Sequence, residues 1–361
     1  MPVETVEVPV ARPYPVVVGA ELNLAETFSR SLDPGLCALL TDSTVGPLHA
    51  DSVREALKGA GWKVTGVLEV PAGETSKSLE TYAETVRSLA GLGLTRDATL
   101  FALGGGVVGD LGGFVAGTYM RGVDLVMLPT SLLAMVDSSV GGKVGVDLPE
   151  GKNLVGAFVR PRLIVADLDW LGTLPESELS NGLAETVKMG LLAGGTFFDD
   201  LYLVETARTG DPRALLPLVL HSIRFKARVV AQDEMEGGPR AILNYGHTVG
   251  HALEAATGYA VPHGTAVAAG MVAAARLSRE RFGTDLTGLH EGLIQAAGLP
   301  ISVPSVETGR VLQAMGRDKK RTGADAAGEH RFVLLEDVGR PVRGVPVPES
   351  EALRAIEAVV E

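Results

Sequence analysis

The sequence predicts an α/β N-terminal domain built on a mostly parallel sheet, followed by a mainly α-helical C-terminal domain. The boundary is expected near residue 172, giving domains 1–172 and 173–361. Three observations predict this. Short runs rich in Val, Leu and Ile alternate with helical patterns through the first half. Such runs nearly vanish after LGTLPESELSNG (171–182). Finally, 361 residues are enough for two cores of ordinary size.

Taken in order, the strand candidates are PVVVG (15–19), LCALLTD (36–42), KVTGVLEV (63–70), ATLFALGG (98–105), DLVMLP (124–129) and LIVADL (163–168). Helical patterns dominate from about 178 to 315, with one late strand candidate, HRFVLLED (330–337). The apolar stretch AVAAGMVAAA (266–275) is too short to cross a bilayer and reads as a buried helix. Hydrophobic residues make up 46% and charged ones 21%, the profile of a soluble globular enzyme. A net charge of −12 argues against a nucleic-acid partner, because phosphate backbones reward the opposite sign. With Cys37 as the only cysteine, there is no disulfide framework and no thiolate metal cage. The N-terminal MPVETVEVPVARPYP lacks a basic segment followed by an apolar run, so a cytoplasmic location is expected.

ALGGGVVGDLGGFVAG (102–117) follows a strand and opens a helix, and Gly104, Gly106 and Gly109 satisfy G-x-G-x-x-G. In that context backbone N–H groups can approach a pyrophosphate at a helix N-terminus, so a Rossmann-like dinucleotide site is expected. The position is unusual, since several strands precede it and the fingerprint ordinarily occupies the first βα turn. Spacing nominates Asp124 as the ribose ligand, but Asp42, at a strand end, and the turn PAGETSK (71–77), with Glu74 and Lys77, are better placed to hold an adenosine half. No Walker loop is present, because GGKV (141–144) lacks the upstream glycine and the hydroxyl residue.

PTSLLAMVDSSVGGKVGVDLPEGKNLVGAF (129–158) is polar and glycine-rich in an otherwise apolar chain, which is costly unless it lines something. It offers Asp137, Lys143, Lys152 and Asn153. Basic residues continue with Arg121, Lys188, Lys226, Arg240, and Lys319 and Lys320 in the RDKKR run. Each alone reads as a solvated surface charge. As a group in an acidic protein they suggest a cationic cavity for a small polyanion. NYGHTVGHALEAATGYAVPH (244–263) holds three of the seven histidines, His247, His251 and His263. By themselves these are open to two readings, a metal site or a helix whose histidines cap and pack.

The motifs GGGVVGD, YMRGV, VDSSVGGK, GKNLVGAF, LAETVKMG, DEMEGGPRAILNYGHTVGHALE and PHGTAV occur in a fixed order along most of the chain. Together they resemble the 3-dehydroquinate synthase family of sugar-phosphate cyclases. Val144 and Asp147 depart from the family's usual Thr and Asn, and the TGADAAGEH stretch is longer than usual. The resemblance implies conversion of 3-deoxy-D-arabino-heptulosonate 7-phosphate to 3-dehydroquinate and phosphate, in the shikimate route to aromatic amino acids. It implies bound NAD, a zinc or cobalt ion, transient oxidation, phosphate elimination, re-reduction and an intramolecular aldol closure.

Residue by residue, the resemblance makes Glu185, His247 and His263 metal ligands and His251 a phosphate contact. Lys143, Lys152, Asn153 and Asn244 match phosphate and hydroxyl contacts, with Lys319 or Lys320 beside them. Lys226 and Arg240 match a carboxylate clamp, which a sugar phosphate without a carboxylate would not need. Asp137 and Lys188 match contacts to the hydroxyls being oxidised. Asp42, Glu74, Lys77, Gly105, Gly106, Asp110, Thr130 and Ser131 match NAD contacts. Arg121 matches a residue that reaches the neighbouring subunit, which implies a homodimer.

Overall fold

The computed structural model describes residues 2–304, 306–316 and 329–361. Lys319 and Lys320 lie outside the described residues. The chain divides into two compact units, Met1–Leu174 with Lys226–Met235, and Pro175–Phe225 with Glu236–Glu361. A single cut near 172 therefore misses the return of Lys226–Met235 to the first unit. Texture along the sequence reports local structure, whereas long-range contacts decide which core a segment joins.

The first unit contains β1 (Glu4–Val8), β2 (Tyr14–Gly19), α1 (Leu24–Ser31), β3 (Leu36–Asp42), α2 (Asp51–Gly59), β4 (Lys63–Val70) and α3 (Leu79–Gly91). It continues through β5 (Thr99–Gly104), α4 (Gly106–Thr118), β6 (Asp124–Pro129), β7 (Lys143–Leu148), β8 (Gly151–Phe158) and β9 (Leu163–Asp167). Polar caps start the helices where the sequence permits. Asn23 Oδ1 accepts from Glu26 N at 3.2 Å, and Ser78 Oγ accepts from Thr81 N at 3.2 Å.

Seven strands form one sheet in the order β1-β2-β9-β6-β5-β3-β4. All neighbours are parallel except β1 with β2. The inner strands β5 and β9 are buried at every residue, which is why they read as unbroken apolar runs rather than alternating ones. From β3 the chain crosses to β4 on one side, and from β5 it crosses to β6 on the other. The C-terminal ends of β3 and β5 therefore flank a topological switch point. The order β4-β3-β5-β6-β9 is the flavodoxin-type 2-1-3-4-5 arrangement, which explains why the glycine-rich turn follows the third of these strands instead of the first. Asp124 opens β6, where Arg162 Nη1 donates to it at 3.0 Å. It stands at the opposite strand end from the glycine turn, so the spacing rule nominates the wrong residue.

The 129–158 stretch is more ordered than its composition suggests. A helical turn over Ala134–Ser138 leads into the β7–β8 antiparallel hairpin. Gly145 and Gly156 face each other across it, and a Cβ on Gly145 would meet Val155 O at 2.5 Å. Val144, one of the family departures, packs its Cγ1 2.3 Å from where a Gly113 Cβ would stand, filling space against α4.

The second unit is mainly helical: α5 (Glu176–Ala193), the short α6 (Gly195–Asp199) and α7 (Val204–Ala207), α8 (Pro212–Gln232) up to Phe225, α9 (His247–Ala256), α10 (His263–Phe282), α11 (Thr287–Ala296), α12 (Thr308–Gly316) and α13 (Glu349–Glu357). The AVAAGMVAAA run lies within α10 and is buried throughout. The late strand β10 (Glu329–Asp337) pairs with β11 (Arg340–Pro348), which the sequence reading lacks. β11 carries Pro341, Pro346 and Pro348, and a two-stranded sheet tolerates them because each strand has an open edge needing no N–H donor. No described helix is long and apolar enough to cross a membrane.

Candidate metal centre and cofactor turn

Three helices of the second unit supply the metal candidates: Glu185 in α5, His247 at the start of α9 and His263 at the start of α10. Glycine permits their approach. A Cβ on Gly270 of α10 would lie 2.0 Å from Gly246 O, and one on Gly250 of α9 would lie 3.1 Å from Ala266 O. At the α10 N-terminus a Gly264 Cβ would be 2.7 Å from Asn181 Cα, while Gly264 N donates to Asn181 Oδ1 at 2.6 Å. Gly246 itself has φ +77°, a conformation that glycine adopts without strain. Of these glycines only Gly246 and Gly250 carry a signal in the sequence, their i, i+4 spacing in G-H-T-V-G.

Both imidazoles aim the same nitrogen at one carboxylate oxygen. His247 Nε2 is 3.4 Å and His263 Nε2 is 3.5 Å from Glu185 Oε1. Glu185 is fully buried, and Oε1 accepts no hydrogen bond among the described residues. Its Oε2 faces the Lys188 ammonium, which also donates to Leu243 O at 2.8 Å. Lys188 is 1% exposed, so its ion pair is sealed from water. Burial alone would raise the Glu185 carboxyl, but Lys188 and His263 bring it down to about 2. Burial would likewise lower His263, yet the neighbouring Glu185 and Glu254 carboxylates lift it to about 10. A buried acceptor with no donor, flanked by two imidazole nitrogens, is a donor set that suits a divalent cation such as zinc or cobalt.

His251 stands one turn beyond His247, and their ring centroids are 5.0 Å apart. It is exposed and lies outside the Glu185 group, joining instead a second possible group with Glu254 and His263. Arg240 is buried in the short helix Pro239–Asn244, which ends at the half-buried Asn244.

In the first unit the residues matched to the cofactor gather at strand C-terminal ends. Asp42 ends β3, and its Oδ1 accepts from Thr44 N at 2.8 Å and Val45 N at 2.9 Å. Gly105 is the N-cap of α4 and Gly106 its first residue, with no side-chain cap on the helix N–H groups. A Cβ on Gly106 would come 3.2 Å from Ser138 Oγ, and one on Gly105 3.4 Å from Ser131 Oγ. Thr130 N donates to Gly104 O at 3.0 Å, closing the β5 and β6 ends together. Uncapped N–H groups beside side-chain-free backbone suit a pyrophosphate.

Lys77 is buried nearby in sequence order and structure. Its Nζ lies 2.6 Å from Asp110 Oδ2 and donates to Asn153 Oδ1 at 2.6 Å, with Asp147 Oδ1 at 4.0 Å. Burial works against the ammonium, but Asp110, Glu74 and Asp147 hold its pKa above the ordinary value. Asp147, the second family departure, also accepts from Asn153 N at 2.7 Å and is thereby absorbed into this network. Asn153 sits at φ +55°, and Lys152 pairs with Glu74 at 3.2 Å. Lys143 is exposed at the start of β7. Lys226 Nζ lies 2.7 Å from Asp137 Oδ1 and also donates to Asp137 O. Arg121 is exposed, and with Met120 it forms a pair of consecutive non-glycine residues at φ +65° and +54°. Such strain marks a position held by something other than local preference.

Fold and residues define a class: an α/β unit with a glycine turn suited to a phosphate, and a helical unit with a His-His-Glu group suited to a divalent cation. Models of the 3-dehydroquinate synthase N-terminal and C-terminal regions match residues 67–181 and 182–321. The chain belongs to the 3-dehydroquinate synthase family. A curated 3-dehydroquinate synthase from Acidithiobacillus ferrooxidans is 45% identical over 359 residues, covering 97% of this chain and 96% of the relative. A 2-deoxy-scyllo-inosose synthase solved with carbaglucose-6-phosphate, NAD+ and Co2+ superposes with a TM-score of 0.89 at 26% identity, covering 99% of this chain and all of that one. A 2-epi-5-epi-valiolone synthase from Streptomyces hygroscopicus subsp. jinggangensis, with NAD+ and Zn2+, gives 0.84 at 26% identity, covering 96% of both chains.

Proposed function

We propose that this chain is a phosphate-eliminating lyase, converting 3-deoxy-D-arabino-heptulosonate 7-phosphate to 3-dehydroquinate and phosphate with NAD and a zinc or cobalt ion. The observation that carries the reading is the buried Glu185 Oε1, which lacks a hydrogen-bond donor while two imidazole nitrogens point at it. Family membership supplies the reaction. When bound, NAD serves as a reversible hydride acceptor and the metal polarises a substrate hydroxyl.

The chain's own residues do the rest. Glu185, His247 and His263 hold the metal and leave positions open for hydroxyl oxygens. Gly105, Gly106, Thr130 and Ser131 receive the cofactor, with Asp42, Glu74, Lys77 and Asp110 fixing its surroundings. Lys143, Lys152, Asn153, Asn244 and His251 hold the phosphate and neighbouring hydroxyls, with Lys319 or Lys320. Lys226 and Arg240 clamp the carboxylate, and Asp137 and Lys188 orient the hydroxyl whose proton leaves. We read the protein as a cytoplasmic homodimer in which Arg121 extends toward the partner's site.

Phosphate release tests the reading. The full chain, supplied with NAD and zinc, should release phosphate from the heptulosonate phosphate and not from sedoheptulose 7-phosphate or glucose 6-phosphate. Trace NAD should support many turnovers without NADH accumulating. Release from a sugar lacking the carboxylate, or product formed only in proportion to added NAD, would overturn it.

A further inference from the structure

His263 engages both of its ring nitrogens. Nε2 faces Glu185 Oε1 at 3.5 Å, and Nδ1 faces Glu254 Oε2 at 3.3 Å. An imidazole that offers one nitrogen's lone pair to a cation must carry its proton on the other nitrogen, and that proton needs an acceptor. His247 meets the requirement with a main-chain group, since its Nδ1 is 3.1 Å from Tyr245 O. For His263 the Nδ1 contact is the carboxylate of Glu254, itself only 5% exposed.

Glu254 lies two turns along α9 from His247, and its main chain anchors the connection to α10. Tyr259 N donates to Glu254 O at 2.7 Å, and Thr257 Oγ1 donates to it at 3.1 Å. One residue thus ties down the loop and presents an acceptor to the imidazole that follows it. Burying a carboxylate is costly unless it is paired, and His263 is a partner that accounts for the burial.

We infer that Glu254 is a positioning residue: it fixes the Nδ1–H tautomer and ring orientation of His263, so that Nε2 is presented to the metal. The inference rests on the assignment of Glu185, His247 and His263 as ligands. The competing arrangement puts the metal among His251, Glu254 and His263 Nδ1, which also lie within ligand distance of one another. The Glu185 arrangement is favoured because it compensates a fully buried carboxylate oxygen, whereas the competing one draws on the exposed imidazole of His251.

The test is zinc affinity of the full chain by competition with a chromogenic chelator, combined with long-range 1H–15N NMR of the histidine rings. Glu254→Ala should bind zinc ~10–100-fold more weakly and lose the single His263 tautomer. Glu254→Gln keeps an oxygen that can accept from Nδ1–H, so it should recover most of that affinity and the tautomer. Affinity of Glu254→Ala within about threefold of the parent overturns the inference, because an outer carboxylate is worth more than that. If Glu254→Ala does not fold, Glu254→Gln decides alone, and a His263 protonated on Nε2 counts against the role. Should Glu254→Gln lose zinc as completely as His263→Ala, Glu254 is a ligand, and the inference fails. His247→Ala separates the premise from the inference: if it keeps zinc, the ligand assignment itself is wrong.

Discussion

The Lys77 cluster of the first unit and the Glu185 cluster of the second are both buried polar centres, and they close in opposite ways. Lys77 is one cation among acceptors, with Asp110 and Asn153 both at 2.6 Å. Its network is complete from protein groups. Glu185 is one carboxylate with Lys188 on one oxygen and no hydrogen-bond donor on the other, where two imidazoles stop at 3.4 and 3.5 Å. The first arrangement is a finished structural element that can position a neighbour. The second is incomplete without a further cation or an extra proton on His263. A buried polar cluster points to a ligand by the atom it leaves unsatisfied, and a high density of charge alone does not.

The largest break in the comparison should come from His247→Ala. The variant should purify with little zinc, and turnover should fall at least about a thousandfold, because charge stabilisation by a metal is worth several kcal/mol. His251→Ala should keep its zinc and lose ~2–4 kcal/mol of transition-state stabilisation through phosphate binding. Mass-spectrometric metal content and steady-state kinetics of the two variants check this. Equal zinc loss in both would mean that the i, i+4 histidines are the chelating pair.

Lys77→Met attacks the finished cluster. It strands Asp110 and removes a donor from Asn153, so urea unfolding without NAD should show a loss of about 3 kcal/mol, the lower end for breaking a buried ion pair. Zinc content should not change. A loss under ~1 kcal/mol would show that water completes the network as well as the lysine does.

Gly270→Ala addresses the helix approach that creates the second cluster. A methyl group 2.0 Å from Gly246 O forces α9 and α10 apart. The expected cost is about 1–3 kcal/mol, together with weaker zinc retention, because His247 and His263 sit on these two helices. Gly292→Ala, which meets nothing within 4 Å, is the control in a helical position. Equal zinc affinity in both variants would separate packing from ligation.

A last effect concerns acid stability. His290 is buried, and burial lowers its pKa from 6.5 to about 4. Its Nδ1 lies 2.8 Å from Leu286 O, so the proton is on that nitrogen and Tyr245 Oη donates to Nε2 at 2.7 Å. Between about pH 6.5 and 4 the unfolded chain takes up a proton there that the folded chain refuses. Stability should therefore fall as pH drops through that window, by about 3 kcal/mol in all. Chemical denaturation of the parent and His290→Gln across the window would check it. A slope unchanged in the variant would assign the acid sensitivity elsewhere.

Sequence by itself determined a good deal of this protein. Unbroken apolar runs such as TLFALG and LIVAD specified interior parallel strands, because both of their faces must be covered. The glycine turn at 104–109 was legible because few residue types let a backbone approach so closely. The family motifs named Glu185, His247 and His263 together, although α5 and α9 are far apart in the chain. Three other features were decided only by the tertiary structure. The strand order put the glycine turn at the β3–β5 switch point and Asp124 at the opposite strand end, which spacing cannot foresee because it counts residues and not crossovers. The β7–β8 hairpin and proline-bearing β11 form because their partners pack or pair with them, overriding weak local propensity. Glu254 and the close contacts at Gly246, Gly264 and Gly270 gain their meaning from atoms in other helices. A sequence lists which groups can donate and accept, but folding decides which of them are left facing one another without water.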